Sequence, residues 1–332
     1  MLTFKAIIVK YTPKQVKLLY RHVVSKYRLQ RFLLHKFGFR FTPKLNDFPP
    51  MVMIDTTTRC NMACNHCPSS TLSKDKTWVG DIEIALYKKI IDEIAKENPM
   101  TIVRPFDGGE PLLRKDMEEL VKYAKLKGIR YVSINTNGTL LTKKRAKDML
   151  NAGLNHIEFS IDAFSKETYI KIKNVDFYEK VVSNIENILY LKKKIAPSFK
   201  ISVSFVKQSD NLSEVDAFYT YWKDKVDHVT IREYHQHGNL IDAHGKYQAN
   251  IVNNRWPCPY LWDRIIIQHT GKVRFCENDW KAQYAIGDVT QNTLKEIWNS
   301  KAYNELRESH VKGIFDHPYC KKCPDWFVIG KL

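Results

Sequence analysis

An α/β fold on a parallel sheet follows from two features of the 332-residue sequence. Six segments of strand character alternate with segments of helical period, and cysteine-rich loops sit near both ends of that array. The strand segments are 51–57, 101–107, 131–135, 156–162, 200–206 and 228–234, short and rich in β-branched and aromatic residues. Between them, 82–97, 114–127, 142–151, 178–194 and 212–224 repeat apolar residues at helical spacing. Such alternation gives a parallel sheet covered by helices, as a partial barrel or as an open doubly wound sheet. In either form the working face lies at the C-terminal ends of the strands.

Ahead of the sheet, residues 1–49 form a basic extension. The net charge is +17, and the first fifty residues hold eleven Lys/Arg against the single acid Asp47. Residues 13–37 read as a basic amphipathic helix, with Val16, Leu19, Tyr20, Val23, Tyr27 and Leu34 near one face. Three uses fit it: packing on the barrel with its charges solvated, contact with an anionic membrane surface, or recruitment of an anionic substrate. No apolar run reaches the length of a membrane span, and no signal-peptide pattern precedes the sheet. The expected location is the cytoplasm, with membrane-surface contact through residues 13–37, and thiols there stay reduced.

The six β/α units occupy residues 50–235. A polar linker, 236–257, leads to a small cysteine-bearing module, 258–332. In it "DRIIIQHTGKVRFCEN" predicts a hairpin turning at Thr270-Gly271, and "TLKEIWNSKAYNELRES" predicts one helix. A module this small gains from a metal staple.

Seven cysteines in a reducing compartment point to metal or catalysis over disulfides. Cys60, Cys64 and Cys67 form CxxxCxxC just past the first strand. This compact spacing suits a multi-iron centre, and three thiolates leave one iron of a [4Fe–4S] cube open. The alternative is zinc completed by His66; its adjacency to Cys67 makes joint ligation of one tetrahedral ion awkward. At the end of the second strand, "DGGEP" offers two glycines for close backbone approach and Glu110 for an ammonium. Cys258, Cys276, Cys320 and Cys323 make a set of four, suited to a second cluster or to a zinc ribbon.

CxxxCxxC after strand one, GGEP after strand two, NTNG after strand three and SIDA in strand four together resemble the radical S-adenosylmethionine (SAM) enzymes, over residues 50–235. The resemblance implies a partial (β/α)6 barrel of the TIM type. It implies that Cys60, Cys64 and Cys67 hold a [4Fe–4S] cluster whose open iron binds the amino and carboxylate groups of SAM. Gly108, Gly109 and Glu110 would hold the methionine amine, with Asn135, Ser160 and Asp162 nearby at the ribose or methionine end. Two departures stand out. His66 precedes the third cysteine where many members have an aromatic residue. Lys173 stands where relatives place an arginine for the SAM carboxylate; a solvated helix lysine is its other reading. The last four cysteines resemble a SPASM motif in its shorter "twitch" form, with one auxiliary [4Fe–4S] cluster.

With three and four thiols assigned, none remains to donate a hydrogen atom. An oxidative reaction is therefore expected. A 5′-deoxyadenosyl radical takes hydrogen from a polar, sugar-like or phosphorylated substrate, and the electron passes to the auxiliary cluster, as in a dehydrogenase. Flavodoxin or ferredoxin would supply the first electron. Glu233, His235 and His237, after the sixth strand, are the candidate bases. Trp256, Trp262, Trp280 and Trp326 are expected around the auxiliary site. The alternatives are modification or epimerisation of a peptide or protein side chain, and a zinc-dependent nucleic-acid-binding protein. For the last, the sequence holds no strong signal beyond charge.

Overall fold

The computed structural model describes residues 45–237, 240–241, 255–323 and 325–326. The expected helix at 13–37 and most of the 236–257 linker lie outside the described residues. Six parallel strands follow in chain order: β1 (Met51–Ile54), β2 (Ile102–Arg104), β3 (Tyr131–Thr136), β4 (His156–Ser160), β5 (Lys200–Val206) and β6 (His228–Arg232). On the far side of β1 the sheet continues through β7 (Arg264–Ile267), β8 (Lys272–Arg274) and β9 (Gly287–Asp288). The order is β6-β5-β4-β3-β2-β1-β7-β8-β9, so the sheet is not closed and the fold is a partial barrel.

The strands alternate with period two, as a pleated strand must. Val52, Ile54, Val103, Val132, Ile157 and Val203 are fully buried and pack with Ile90, Ile91, Ile94 and Leu120 of the covering helices Ile84–Glu97 and Met117–Leu126. The intervening positions point to the opposite, concave face and are mostly polar: Arg104, Ser133, Asn135, Glu158, Ser202 and Ser204. The barrel thus has a dry exterior under its helices and a polar interior.

The predicted hairpin is present. β7 and β8 are antiparallel, with Gly271 at φ 98° in the turn, a conformation L side chains rarely adopt. β7 is also parallel to β1, pairing Met51 with Arg264 through Ile54 with Ile267. The cysteine-bearing module therefore shares the barrel's sheet.

Two helices differ from expectation. Residues 293–309 hold two helices, Leu294–Trp298 and Lys301–Lys312, because Ser300 starts the second: its Oγ accepts from Tyr303 N at 3.3 Å. A further helix, Lys166–Lys173, follows β4. The last four residues of its "KETYIKIK" alternate apolar and polar, as a strand would. The local signals for it are caps: Ser165 Oγ accepts from Thr168 N at 3.2 Å, and Asn174 ends it in the left-handed conformation at φ 57°.

Candidate active site

The loop carrying Cys60, Cys64 and Cys67 begins right after β1 and is tied to its neighbours by side chains that each strand end supplies. Thr56 Oγ1 donates to Pro105 O at 2.7 Å, and Arg59 O accepts from Glu110 N at 2.8 Å. Asn61 donates to Thr139 Oγ1 at 2.9 Å and accepts from Asn137 Nδ2 at 2.8 Å. Asn65 N donates to Ile172 O at 3.0 Å, and Asn174 donates to Ala63 O at 2.7 Å. The ends of β2 and β3 and the helix after β4 thus converge on one cysteine loop.

The DGGEP segment packs directly on this loop. At Gly109 a Cβ would fall on Thr57 O and within 2.6 Å of Arg59 O, so only glycine fits. Ser69 Oγ, two residues past Cys67, donates to Gly108 O at 2.5 Å, and Gly108 N donates to Asp55 Oδ1 at 2.6 Å. Glu110 is buried, and its carboxylate brackets two strand ends. Its Oε1 accepts from Leu112 N at 3.0 Å and from Thr136 Oγ1 at 2.7 Å; its Oε2 accepts from Asn137 N at 2.7 Å. Oε2 retains a second lone pair for a ligand.

Beneath Cys64 and Cys67 lies an ion pair. Lys173 Nζ meets Asp162 Oδ2 at 2.5 Å, with side chains 2% and 1% exposed. His66 Nε2 stands 3.5 Å from the same oxygen. Lys173 is therefore a buried, paired group and not a solvated helix residue. Burial alone would lower Lys173, but Asp162 outweighs it and holds the ammonium above its ordinary value. Asp162 is likewise pushed up by burial and held down by Lys173 and the Val206 amide, with a net lowering. Burial drives His66 down to about 4, so the ring is neutral.

The three front thiols feel one another's charge, and desolvation pushes Cys60 up to about 12 and Cys64 to about 11. The rear four form a second group. Cys276 feels Cys258, Cys323 and Cys320, and burial pushes Cys320 up to about 12. His310, which the sequence reading did not single out, joins this group: Cys258 N donates to its Nδ1 at 3.2 Å, and its Nε2 lies 3.4 Å from Cys320 Sγ. Thiols so desolvated ionise only against a cationic centre, and three plus four sulfur donors suit two iron–sulfur clusters.

Comparison with known proteins agrees. The model of the radical SAM superfamily matches residues 54–199, and that of the SPASM iron–sulfur cluster-binding domain matches residues 258–324. The chain carries a radical SAM domain followed by a SPASM domain. Together these two domains imply SAM and two [4Fe–4S] clusters as cofactors. Among curated relatives, Fe-coproporphyrin III synthase of Methanosarcina barkeri is 30% identical over 174 residues, 52% of this chain and 41% of that protein. GTP 3′,8-cyclase of Staphylococcus epidermidis is 31% identical over 191 residues, 56% of this chain and 54% of that protein. The match thus spans about half the length of these relatives. Among solved structures, BtrN in complex with AdoMet and 2-DOIA superposes with a TM-score of 0.56 at 18% identity, covering 83% of this chain and 93% of that one. Streptococcus suis SuiB bound to precursor peptide SuiA gives 0.66 at 13%, covering 96% and 76%. At these identities the likeness is one of fold.

The radical SAM strand ends bring Gly108, Gly109, Glu110, Asp162 and Lys173 together around the front cysteines. Asn135 is placed differently, inside the barrel. It accepts from Arg104 Nη2 at 3.2 Å and donates to Glu158 Oε1 at 2.8 Å, while its neighbour Asn137 touches the cysteine loop. Ser160 ends β4, two residues before Asp162.

The candidate bases gather after β6. Glu233 Oε1 accepts from Lys207 at 3.2 Å, and its Oε2 is buried without a hydrogen-bond partner. The His235 and His237 rings lie 5.9 Å apart, and His237 packs edge-on to Trp280 at 5.6 Å. Burial drives His237 down to about 3, which leaves it a poor proton acceptor at neutral pH.

Trp280 is not grouped with the other tryptophans around the auxiliary cysteines. Its carbonyl accepts from Trp78 Nε1 at 3.0 Å, and both rings close on Gly108, each 3.3–3.4 Å from where a Cβ would stand. Trp256 and Trp326 do pair, with ring centroids 5.2 Å apart, and Trp262 is buried in the main core. The chain segment from Cys276 to Trp280 therefore reaches across to the SAM-side loop, which local sequence gave no means of anticipating.

Proposed function

We propose that this radical SAM enzyme is an oxidoreductase. It takes a hydrogen atom from a polar or anionic small molecule and passes the substrate electron to the auxiliary cluster, as a dehydrogenase does. One observation carries this reading: the seven cysteines divide into a front three and a rear four, which leaves no thiol to return a hydrogen atom. When bound, SAM and the front cluster supply the hydrogen-abstracting radical, and the rear cluster supplies the electron acceptor. The protein's part is to hold and to exclude. Cys60, Cys64 and Cys67 would ligate the front cluster, and Cys258, Cys276, Cys320 and Cys323 the rear one. The backbone of Gly108 and Gly109, the free lone pair of Glu110, and Ser160, Asp162 and Lys173 would orient SAM. Of Glu233, His235 and His237, His235 is the preferred base, since Glu233 is bound to Lys207 and desolvation drives His237 down to about 3.

The domain limits proposed are 1–49, 50–235, 236–257 and 258–332. Among the described residues no helix is long and apolar enough to cross a membrane. The basic segment 13–37 is proposed as the contact for an anionic surface, and flavodoxin or ferredoxin as the electron donor. Two curated relatives are named for GTP and for coproporphyrin. Both are anionic small molecules, which favours such a substrate over a peptide.

The test is anaerobic reconstitution of wild type and Cys323→Ala. Wild type should hold about eight irons per chain. The variant should lose product while still cleaving SAM to 5′-deoxyadenosine. Full product formation in Cys323→Ala would remove the electron-acceptor role.

A further inference from the structure

Among the described residues, several buried carboxylates of the barrel and its strand ends are matched by a guanidinium. Glu158 accepts from Arg232 Nη2 at 2.8 and 3.0 Å. Glu277 meets Arg264 at 2.5 Å, and Asp55 and Asp107 share Arg274. Each of these carboxylates has a guanidinium. Arg104, at the end of β2, has none: among the described residues no carboxylate lies within ion-pair distance of it. Its Nη2 donates only to the neutral Asn135 Oδ1, its Nε is buried without an acceptor, and its guanidinium carbon lies 4.6 Å from the Phe106 ring centroid. Arg232 and Arg264 are the neighbouring cations whose fields reach it, against Glu158 and Glu277.

A guanidinium desolvated beside two like charges is unfavourable until an anion completes it. Its planar fork matches a carboxylate or a phosphoryl group. We propose that Arg104 binds an oxyanion of the substrate, a carboxylate or a phosphoryl group, inside the barrel. The proposal rests on the reading of the interior as the reaction chamber and adds the group by which the substrate is held. Arg104 precedes Asp107-Gly108 by three residues, roughly 10 Å of extended chain at most. A substrate anchored there extends upward, with its reacting carbon about that far from the oxyanion, toward the SAM loop. The residues in contact with the fork, Asn135 and Phe106, are neutral, so among the described residues no carboxylate competes for it within ion-pair distance.

The experiment uses the full chain, reconstituted and loaded with SAM, titrated calorimetrically with inorganic phosphate in one arm and succinate in the other. One arm at least should show a single site per chain. Arg104→Gln should weaken that binding roughly 10- to 100-fold, as loss of a charged hydrogen-bonding partner does. Arg104→Lys, which keeps the charge but not the fork, should fall between. The arm that binds names the oxyanion. Iron content measured on each variant shows that it is loaded; if the Gln variant loads poorly, the Lys variant decides, with weakened binding required. Binding of neither anion to wild type, or equal affinity in wild type and variants, overturns the proposal. Failure of the electron-acceptor role in Cys323→Ala would leave this anion binding unchanged, so the two readings fail separately.

Discussion

An ammonium withdrawn from water is unfavourable unless a carboxylate meets it, and Lys173 meets Asp162 at 2.5 Å. The pair stands between the front cysteine loop and the ends of β4 and β5. Asp162 Oδ1 accepts from Val206 N at 2.7 Å, and Asn211 Nδ2 donates to the Asp162 carbonyl at 2.8 Å. Asp162 takes a left-handed backbone at φ 63°, which Asp and Asn tolerate better than other side chains. Removing only the lysine leaves a buried carboxylate uncompensated. Lys173→Met should therefore destabilise the reconstituted chain by about 3–5 kcal/mol. Adding Asp162→Asn, which keeps the backbone conformation and removes the orphaned charge, should recover most of that loss. Thermal unfolding of both variants checks this; equal stability of the single and double variants would show that the pair is not what holds the loop.

At the scale of elements, the β7–β8 hairpin carries the rear site. Its turn depends on Gly271, where φ is 98° and a Cβ would come within 2.8 Å of Thr290 Cγ2. Gly271→Ala should cost about 1–3 kcal/mol through backbone strain and collision. The hairpin delivers Cys276, so total iron should fall from about eight toward four per chain while the front cluster stays. Unchanged iron and an unchanged melting temperature in Gly271→Ala would mean that the turn yields without moving Cys276. The hairpin was legible in the sequence because Thr270-Gly271 between two apolar runs is a local signal. So were the six parallel strands and the two closely spaced cysteine runs, Cys60-Cys64-Cys67 and Cys320-Cys323. The burial of Lys173 was not legible: the sequence allows a solvated helix lysine there, and only the fold brings it against Asp162. Arg104 looked like any strand arginine. What marks it is the pairing of every neighbouring acid with another arginine, and that depends on side chains from β4, β6, β7 and the loop after β8.

Across the whole molecule, one residue joins the two cysteine groups. Arg274 is fully buried at the end of β8, two residues before Cys276. Its guanidinium reaches Asp107, 167 residues away in sequence, and Asp55, 219 residues away at 3.2 Å. Asp55 in turn holds the Gly108 amide, and Arg274 Nη1 also donates to the Glu277 and Asp279 carbonyls at 3.1 and 3.3 Å. The same guanidinium therefore shapes the loop after Cys276 and the glycine cradle beside the front cysteines, and the Trp78–Trp280 contact braces the same span. A lysine keeps one charge but cannot span two carboxylates and two carbonyls at once. Arg274→Lys should keep both clusters but weaken SAM binding about tenfold, because Asp55 and Gly108 lose their fixed orientation. Arg274→Met should go further, leaving two buried carboxylates without a cation and lowering iron at both sites. Equilibrium binding of SAM, read with iron content on the same samples, separates these outcomes. Wild-type SAM affinity in Arg274→Lys would mean that the rear loop and the front cradle are held independently, despite the shared arginine.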